Sequence, residues 1–381
     1  MRPASATIRD NAGAVAATAI LLALSLAAPA RAEGDAPPED KRLEIHGYGE
    51  IHYNNPETGT MDKDALARVD VHRLVLGWEY EFTSSIRMSA EVDFEHSATE
   101  IELEYALLEY DLTPTLSFRV GSLLLPVGPL NEFHEPPTYH SVERPYIETY
   151  VLPTTWQDIG LGLVGRTTNG ALAYRAYVVS GLDATGFSTS DGIRGGRQHG
   201  VEAKAEDLGL VGRLEYAIKG GFTLGTSGYV GGADQGTPGL GSVDVTIFEG
   251  DLRFRRGAFD LRGEWAGVSI GNSDSVSIAV GEPVGSNIWG VTWEAAFDLI
   301  NGRSKAPGRA LWLFTRYERF DTNGDTEPGI ARDPAAERKV FTTGVSYRPV
   351  REVALKTDVE FWKDGADQDL TRLNVGAAFQ F

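Results

Sequence analysis

The C-terminal segment alternates strictly. Leu373, Val375, Ala377, Phe379 and Phe381 fall on one parity, and Arg372, Asn374, Gly376, Ala378 and Gln380 on the other. A strand turns successive side chains to opposite faces, so this segment reads as one with an apolar face and a small, polar one. The same beat runs through residues 86–95, 259–265, 289–298 and 353–361, where Ile86, Met88, Val92, Phe259, Leu261, Trp265, Trp289, Trp293, Phe297, Leu355 and Phe361 interleave with charged or small residues. After residue 33 no stretch approaches the ~18 apolar residues that a membrane helix requires. Strands that are apolar on alternate positions cross a membrane in another way, as a closed barrel.

Connection lengths give the count. Short links are expected near residues 83–85, 113–115, 168–170, 219–221, 255–257, 300–308 and 349–352. Between them fall longer links at 54–68, 125–155, 181–209, 231–242, 270–287 and 321–337, with briefer ones at 96–99 and 363–369. Seven short turns alternating with eight outer links predict an all-β fold: a transmembrane antiparallel β-barrel of about 16 strands, with both termini on the short-turn side. Splitting residues 198–217 into two strands would break the alternation downstream, so residues 201–207 are read as loop with at most one helical turn. Trp78, Tyr80, Phe82, Tyr347, Phe379 and Phe381 cluster beside the short turns, where an interfacial aromatic girdle belongs.

A soluble β-sandwich also alternates, and the N-terminus argues against one. Arg2 and Arg9 precede an apolar run over residues 12–28, and Pro29 introduces Ala30-Arg31-Ala32, the small-x-small pattern of an export cleavage site. The organisation expected is a cleaved leader at 1–32, a flexible lead-in at 33–42, and one barrel domain at 43–381. The net charge of -19 disfavours nucleic acid as a partner. The absence of cysteine excludes disulfides and thiolate metal sites.

Two stretches carry a resemblance. One is Gly47-Tyr48-Gly49-Glu50-Ile51-His52-Tyr53-Asn54; the other runs through residues 119–165 as RVGSLLLPVGPLNEFHEPPTYHSVERPYIETYVLPTTWQDIGLGLVG. Together with residues 212–231, GRLEYAIKGGFTLGTSGYVG, they resemble the phosphate-selective porin O and P family of bacterial outer-membrane porins. The resemblance implies a water-filled, trimeric barrel in the bacterial outer membrane whose third outer loop folds inward as a constriction. It also implies a basic wall strip at Arg119, Arg166 and Arg175, and a terminal Phe381 read by the barrel-assembly machinery.

The residues themselves agree on the loop. Residues 125–155 form the longest outer link, and a structureless loop of that length is usually functional. Six prolines from Pro126 to Pro153 stiffen it, and Phe133, Tyr139, Tyr146 and Tyr150 can pack on an inner wall. The candidate constriction residues are Glu132, His134, Glu135, His140, Glu143, Arg144 and Glu148.

Catalysis and metal binding find no footing in this loop. His134 and His140 are six apart with Pro136-Pro137 between them, which blocks the helical two-histidine zinc motif. His46 and His52 share the polar face with Glu44 and Glu50, so a lumenal role replaces an outer-membrane lipase. No cofactor, metal or catalytic residue is assigned.

Selectivity divides the family from the residues. Phosphate channels call for rings of Lys or Arg, whereas this chain has eight lysines, and its inward strand positions carry Glu44, Glu50, Glu91, Asp93, Glu95, Glu264, Glu294, Asp298, Asp358 and Glu360 against Arg87, Arg262, Lys356 and Arg372. The function expected is a porin for passive diffusion of small hydrophilic solutes or ions, weakly cation-preferring or unselective. The alternatives are a phosphate or anion channel and a closed structural or adhesive barrel.

Overall fold

The computed structural model describes residues 42–61, 66–302 and 307–381. The expected leader at 1–32 and nearly all of the lead-in at 33–42 lie outside the described residues, as do Lys41, Lys63 and Lys305.

Sixteen strands follow one another: β1 Leu43–Gly59, β2 Arg68–Thr83, β3 Ile86–Glu95, β4 Glu100–Thr113, β5 Leu116–Leu124, β6 Gln157–Arg166, β7 Leu172–Val179 and β8 Gly209–Ile218. Then come β9 Phe222–Gly232, β10 Asp244–Arg256, β11 Phe259–Ile270, β12 Asn287–Asp298, β13 Ala310–Asp325, β14 Glu337–Val350, β15 Val353–Asp364 and β16 Asp369–Gln380. Each is antiparallel to its sequence neighbours, and β1 pairs with β16 to close the barrel. Closure removes the free edge that an open sheet could not satisfy in hydrocarbon. The seam is sealed by Phe381, whose N–H donates to the Gly47 carbonyl at 2.9 Å while the Gly47 N–H donates back at 3.1 Å.

Alternation becomes geometry along every clean strand. On β15 and β16, Leu355, Phe361, Val375 and Phe379 point outward, whereas Lys356, Asp358, Glu360 and Asn374 are buried inside. Outward aromatics also line up across strands: Trp293 faces Tyr317, Tyr317 faces Phe341, and Phe341 faces Phe361. A second set lies by the short turns, with Tyr80 and Phe82 in contact at 5.0 Å and Phe259 and Phe297 at 5.1 Å. An apolar belt flanked by aromatics is the exterior of a membrane-spanning barrel.

The described interior departs from the expectation of a uniformly wet lumen. Inward positions near the outer ends of β7 to β12 are apolar, including Tyr177, Val179, Val211, Tyr229, Val245, Ile247, Val268 and Ile288. They form one buried cluster with residues of the inward loops, among them Leu125, Ile147, Val151, Leu152, Trp156, Leu182 and Phe187. Loops that enter the barrel need an apolar wall to pack on, and these six of the sixteen strands supply one.

Several boundaries differ from the sequence reading. β1 runs on to Gly59 and β13 to Asp325, so the outer links after them begin later than expected. Residues 201–207 are loop without a helical turn; the short turns of that link are Ala184–Gly186 and Arg194–Gly196. The sixth outer link carries a helix, α1 Ser273–Val280, that alternation could not reveal.

Candidate functional site

The loop over residues 125–156, here L3, leaves the outer end of β5 and enters the barrel. Its entry is set at Gly128, whose positive φ of +75° suits glycine and whose N–H donates to the Ser227 hydroxyl on β9 at 3.0 Å. A side chain there would also strike Glu148, 2.7 Å from where its Cβ would stand. Asn131 then staples the base of the loop. Its amide donates to the carbonyls of Leu125 and Trp156 at 2.7 and 2.8 Å, and its oxygen accepts the Trp156 N–H at 2.9 Å.

From that base the loop reaches nearly all around the wall. Tyr146 and Ile147 N–H groups donate to Glu318 on β13 at 2.6 and 3.2 Å, and the Val142 N–H donates to Asp358 on β15 at 2.7 Å. Lys356 donates to the carbonyls of Pro136 and Ser141 at 2.6 and 2.8 Å, and Arg262 on β11 to that of Thr138 at 3.0 Å. Two wall glycines act as notches. A Cβ on Gly290 of β12 would stand 2.9 Å from Ile147, and one on Gly376 of β16 would stand 3.1 Å from Val142. The expectation of an inward third loop corresponds to this arrangement.

The seven candidate residues of L3 are not brought together. Glu132 pairs with Arg175 on β7 at 2.9 Å. His134 pairs with Glu104 on β4 and lies 2.8 Å from the Tyr48 hydroxyl. His140 sits 3.5 Å from Asp260 on β11, against the rings of Trp312 and Phe314. The two histidines therefore address different strands and share no ion.

Glu143 accepts from Asn54 at 2.9 Å and meets His52 at 3.4 Å; against the upward push of burial, that histidine holds its carboxyl well below the usual range. Glu148 is buried beside Glu249, and burial raises its carboxyl well above the usual range, with the Leu130 N–H, at 3.2 Å, its one donor among the described residues. Glu135 and Arg144 remain half-exposed. Several of the charges singled out from the sequence thus dock the loop to the wall.

The expected wall arginines do converge. Arg119, Arg166 and Arg175 line a cavity of about 1550 Å³ between L3 and β3 to β7, open past Ser84, Ser85 and Thr115 at the short-turn end. Acids share it: Glu109 pairs with both Arg87 and Arg119. Other lumenal arginines were missed by the sequence reading and are paired too. Arg73 reaches Glu50 and Glu95, Arg213 reaches Glu249 and Asp251, and Arg316 reaches Glu318. Arg73 was hidden because a bulge breaks the alternation of β2 just before it.

Two arginines of the fourth outer link, Arg194 and Arg197, bond to backbone instead, donating to the Thr154 carbonyl at 2.9 and 2.7 Å. Burial, and then the neighbouring arginine charges, lowers them to about 10 and about 9, which leaves both charged at neutral pH. None of the seven histidines stands on an outward strand position.

No family model matches the sequence. An uncharacterized protein of Aquifex aeolicus (strain VF5) is 32% identical over 356 residues, covering 88% of this chain and 79% of that protein. Among solved structures, the outer membrane channel DcaP of Acinetobacter baumannii aligns with a TM-score of 0.58 at 12% identity, covering 92% of this chain and all of that one. The anion-selective porin from Comamonas acidovorans gives 0.57 at 10% identity over 89% of this chain and 99% of its own. The trimer form of OmpT, an outer membrane protein of Vibrio cholerae, gives 0.56 at 11% identity, with coverage of 89% and 99%. At these identities the likeness is one of fold.

Proposed function

The chain belongs to the same family as the uncharacterized Aquifex aeolicus protein, its barrel is of the bacterial outer-membrane kind, and we propose that it works as a porin for small hydrophilic solutes or ions. The observation that carries this reading is L3. A loop held to strands on many sides of a sixteen-strand wall narrows a lumen that a barrel of this size otherwise leaves open. The chamber of about 1550 Å³ beneath it is where a solute that has passed the loop would meet the periplasm. In a planar bilayer the purified chain should give discrete conductance steps, and shortening residues 131–143 should enlarge them. A folded barrel with no conductance under either condition would favour a closed structural barrel.

The channel is weakly cation-preferring or unselective. Arginines that face the lumen are largely matched by carboxylates, and Asp298 and Asp358 add acid beyond those pairs. The alternative, a phosphate- or anion-selective porin, has its support in Arg119, Arg166 and Arg175 around the chamber and in the family resemblance of residues 119–165. Reversal potentials in a salt gradient separate the two.

The assembled form we infer is a homotrimer, inserted by the barrel-assembly machinery and bathed in outer-membrane lipid. Cross-linking of the detergent-extracted protein tests the trimer. No enzymatic role is part of this reading, since no histidine stands on the lipid-facing wall where an outer-membrane lipase would need one.

A further inference from the structure

At the outer rim, above the point where L3 meets β1, two backbone irregularities bring three side chains together. The first is in β2, where Glu50 pairs with Arg73 and Ile51 with Val71, leaving His72 as the extra residue of a bulge. A bulge re-aims side chains. Asp70 and His72 turn inward on one side of it and Arg73 on the other, between outward Val71 and Leu74. The second is in the brief link between β3 and β4. His96, Ser97 and Ala98 all have positive φ, of 48°, 58° and 65°. Residues with a Cβ avoid that region, and consecutive runs of it are rarer still. Strained backbone of this kind concentrates at ligand clamps. Here it folds His96 back over β2.

We propose that Asp70, His72 and His96 form a binding site for a divalent transition metal of the zinc type. One ligand atom from each lies within 4.8 Å of the others. The Asp70 carboxylate is shared: its Oδ2 is 2.6 Å from Nδ1 of His96 and 3.5 Å from Nδ1 of His72. A tetrahedral zinc with ligands at ~2.0–2.1 Å holds neighbouring ligand atoms roughly 3.3 Å apart, so small side-chain adjustments admit the ion.

Two imidazoles and one carboxylate suit zinc, copper or nickel far better than calcium or magnesium, which prefer all-oxygen shells. Three protein ligands leave at least one position for water or a passing solute. The His72 ring is itself buttressed. His52 stacks on it at 4.6 Å with the planes 10° apart, and His52 is held by Glu50 at 2.9 Å and by Glu143 of L3 at 3.4 Å. Outer partners of this sort fix the orientation of metal ligands. The side chains of Asp70, His72 and His96 are 31%, 29% and 45% exposed, so an ion reaches them from outside without crossing the constriction.

The test is calorimetric titration of zinc chloride into the detergent-solubilised full-length chain, prepared without a histidine tag. One ion per chain is expected. His72→Ala and His96→Ala should each weaken binding by about tenfold or more, and Asp70→Asn should do the same, whereas His46→Ala on the opposite end of β1 should not. Heat-shifted electrophoretic mobility confirms that each variant is a folded barrel. Cobalt chloride provides a second readout, through visible absorption that the His96→Ala variant loses. Absence of saturable binding at millimolar zinc, or binding indifferent to both histidine substitutions, overturns the proposal and leaves an ordinary aspartate–histidine pair.

Discussion

The hydroxyl of Tyr146 donates to the Glu360 carboxylate at 2.8 Å, joining the far side of L3 to β15, while Arg372 of β16 binds both groups. Trp362 closes the site with an indole N–H donated to the same carboxylate at 3.1 Å and its ring against Tyr146.

Replacing Tyr146 by Phe keeps the ring packing and removes two hydrogen bonds to charged groups, the one donated to Glu360 and the one accepted from Arg372, each worth about 1.5–3 kcal/mol. No strand pairing involves that hydroxyl, so barrel stability should hold. The loosened loop should appear as broader open-channel current fluctuations in single-channel records. Records indistinguishable from the parent would mean that this anchor does not hold the loop.

The glycine notches predict a steric phenotype. Gly290→Leu places a branched side chain where Ile147 and Val151 already come within 2.9 and 3.0 Å of a Cβ. Overpacking of a close-packed contact costs about 1–3 kcal/mol, and the loop should yield before the hydrogen-bonded wall does. An altered conductance with unchanged heat-modifiable mobility is the expected outcome. Gly250→Ala, at a position with nothing within 4 Å, is the control and should behave as the parent.

The legible part of this fold was the part governed by period two. Strand number, the order of short and long links and the outward set that includes Leu355, Phe361, Val375 and Phe379 all follow from side chains alternating between lipid and lumen. The same rule failed at bulges. His72 and Glu104 both sit where register slips, so Arg73 and Glu104 turn inward with no local signal. It also said nothing of the apolar inner wall at Val211, Ile247 and Val268, whose purpose is visible only once L3 and its neighbours are seen packed there. In L3 itself the sequence located the loop and misjudged its charges, because docking partners such as Arg175 and His52 lie far along the chain.

Phe381 offers a kinetic prediction. Its ring is 61% exposed to the lipid side, and its backbone makes both hydrogen bonds to Gly47 at the seam. Deleting it should slow the appearance of the heat-modifiable species on refolding into lipid vesicles. An unaltered rate would assign the residue no part in closure.

His140 predicts a pH dependence. Burial lowers its imidazole to about 4, opposed by Asp260 and Glu294 and reinforced by the Arg262 charge. An undocked imidazole protonates near 6.5, so between those values the undocked state binds a proton that the docked state refuses. Docking is therefore fully favourable above about pH 7 and weakens as pH falls toward 4, by on the order of 3 kcal/mol at most. Current fluctuations should grow across that interval in the parent. In His140→Gln they should be flat, and a parent already flat from pH 7 to 4 would show that this ring does not govern the loop.

The selectivity reading faces its strictest test in two half-exposed residues of the loop. With Glu132 paired to Arg175, Glu143 engaged by His52 and Glu148 buried beside Glu249, the groups of L3 left to meet a passing ion are Glu135 and Arg144. A charge in a narrow, low-dielectric passage outweighs the sum over distant surfaces. If these two set the balance, Glu135→Gln should move the reversal potential toward anions and Arg144→Gln toward cations. Arg166→Gln, in the wide chamber below, should move it little. The opposite ranking, with Arg166→Gln or Arg175→Gln dominant and parent currents blocked by millimolar phosphate, would transfer control to the basic strip and establish the anion-selective alternative.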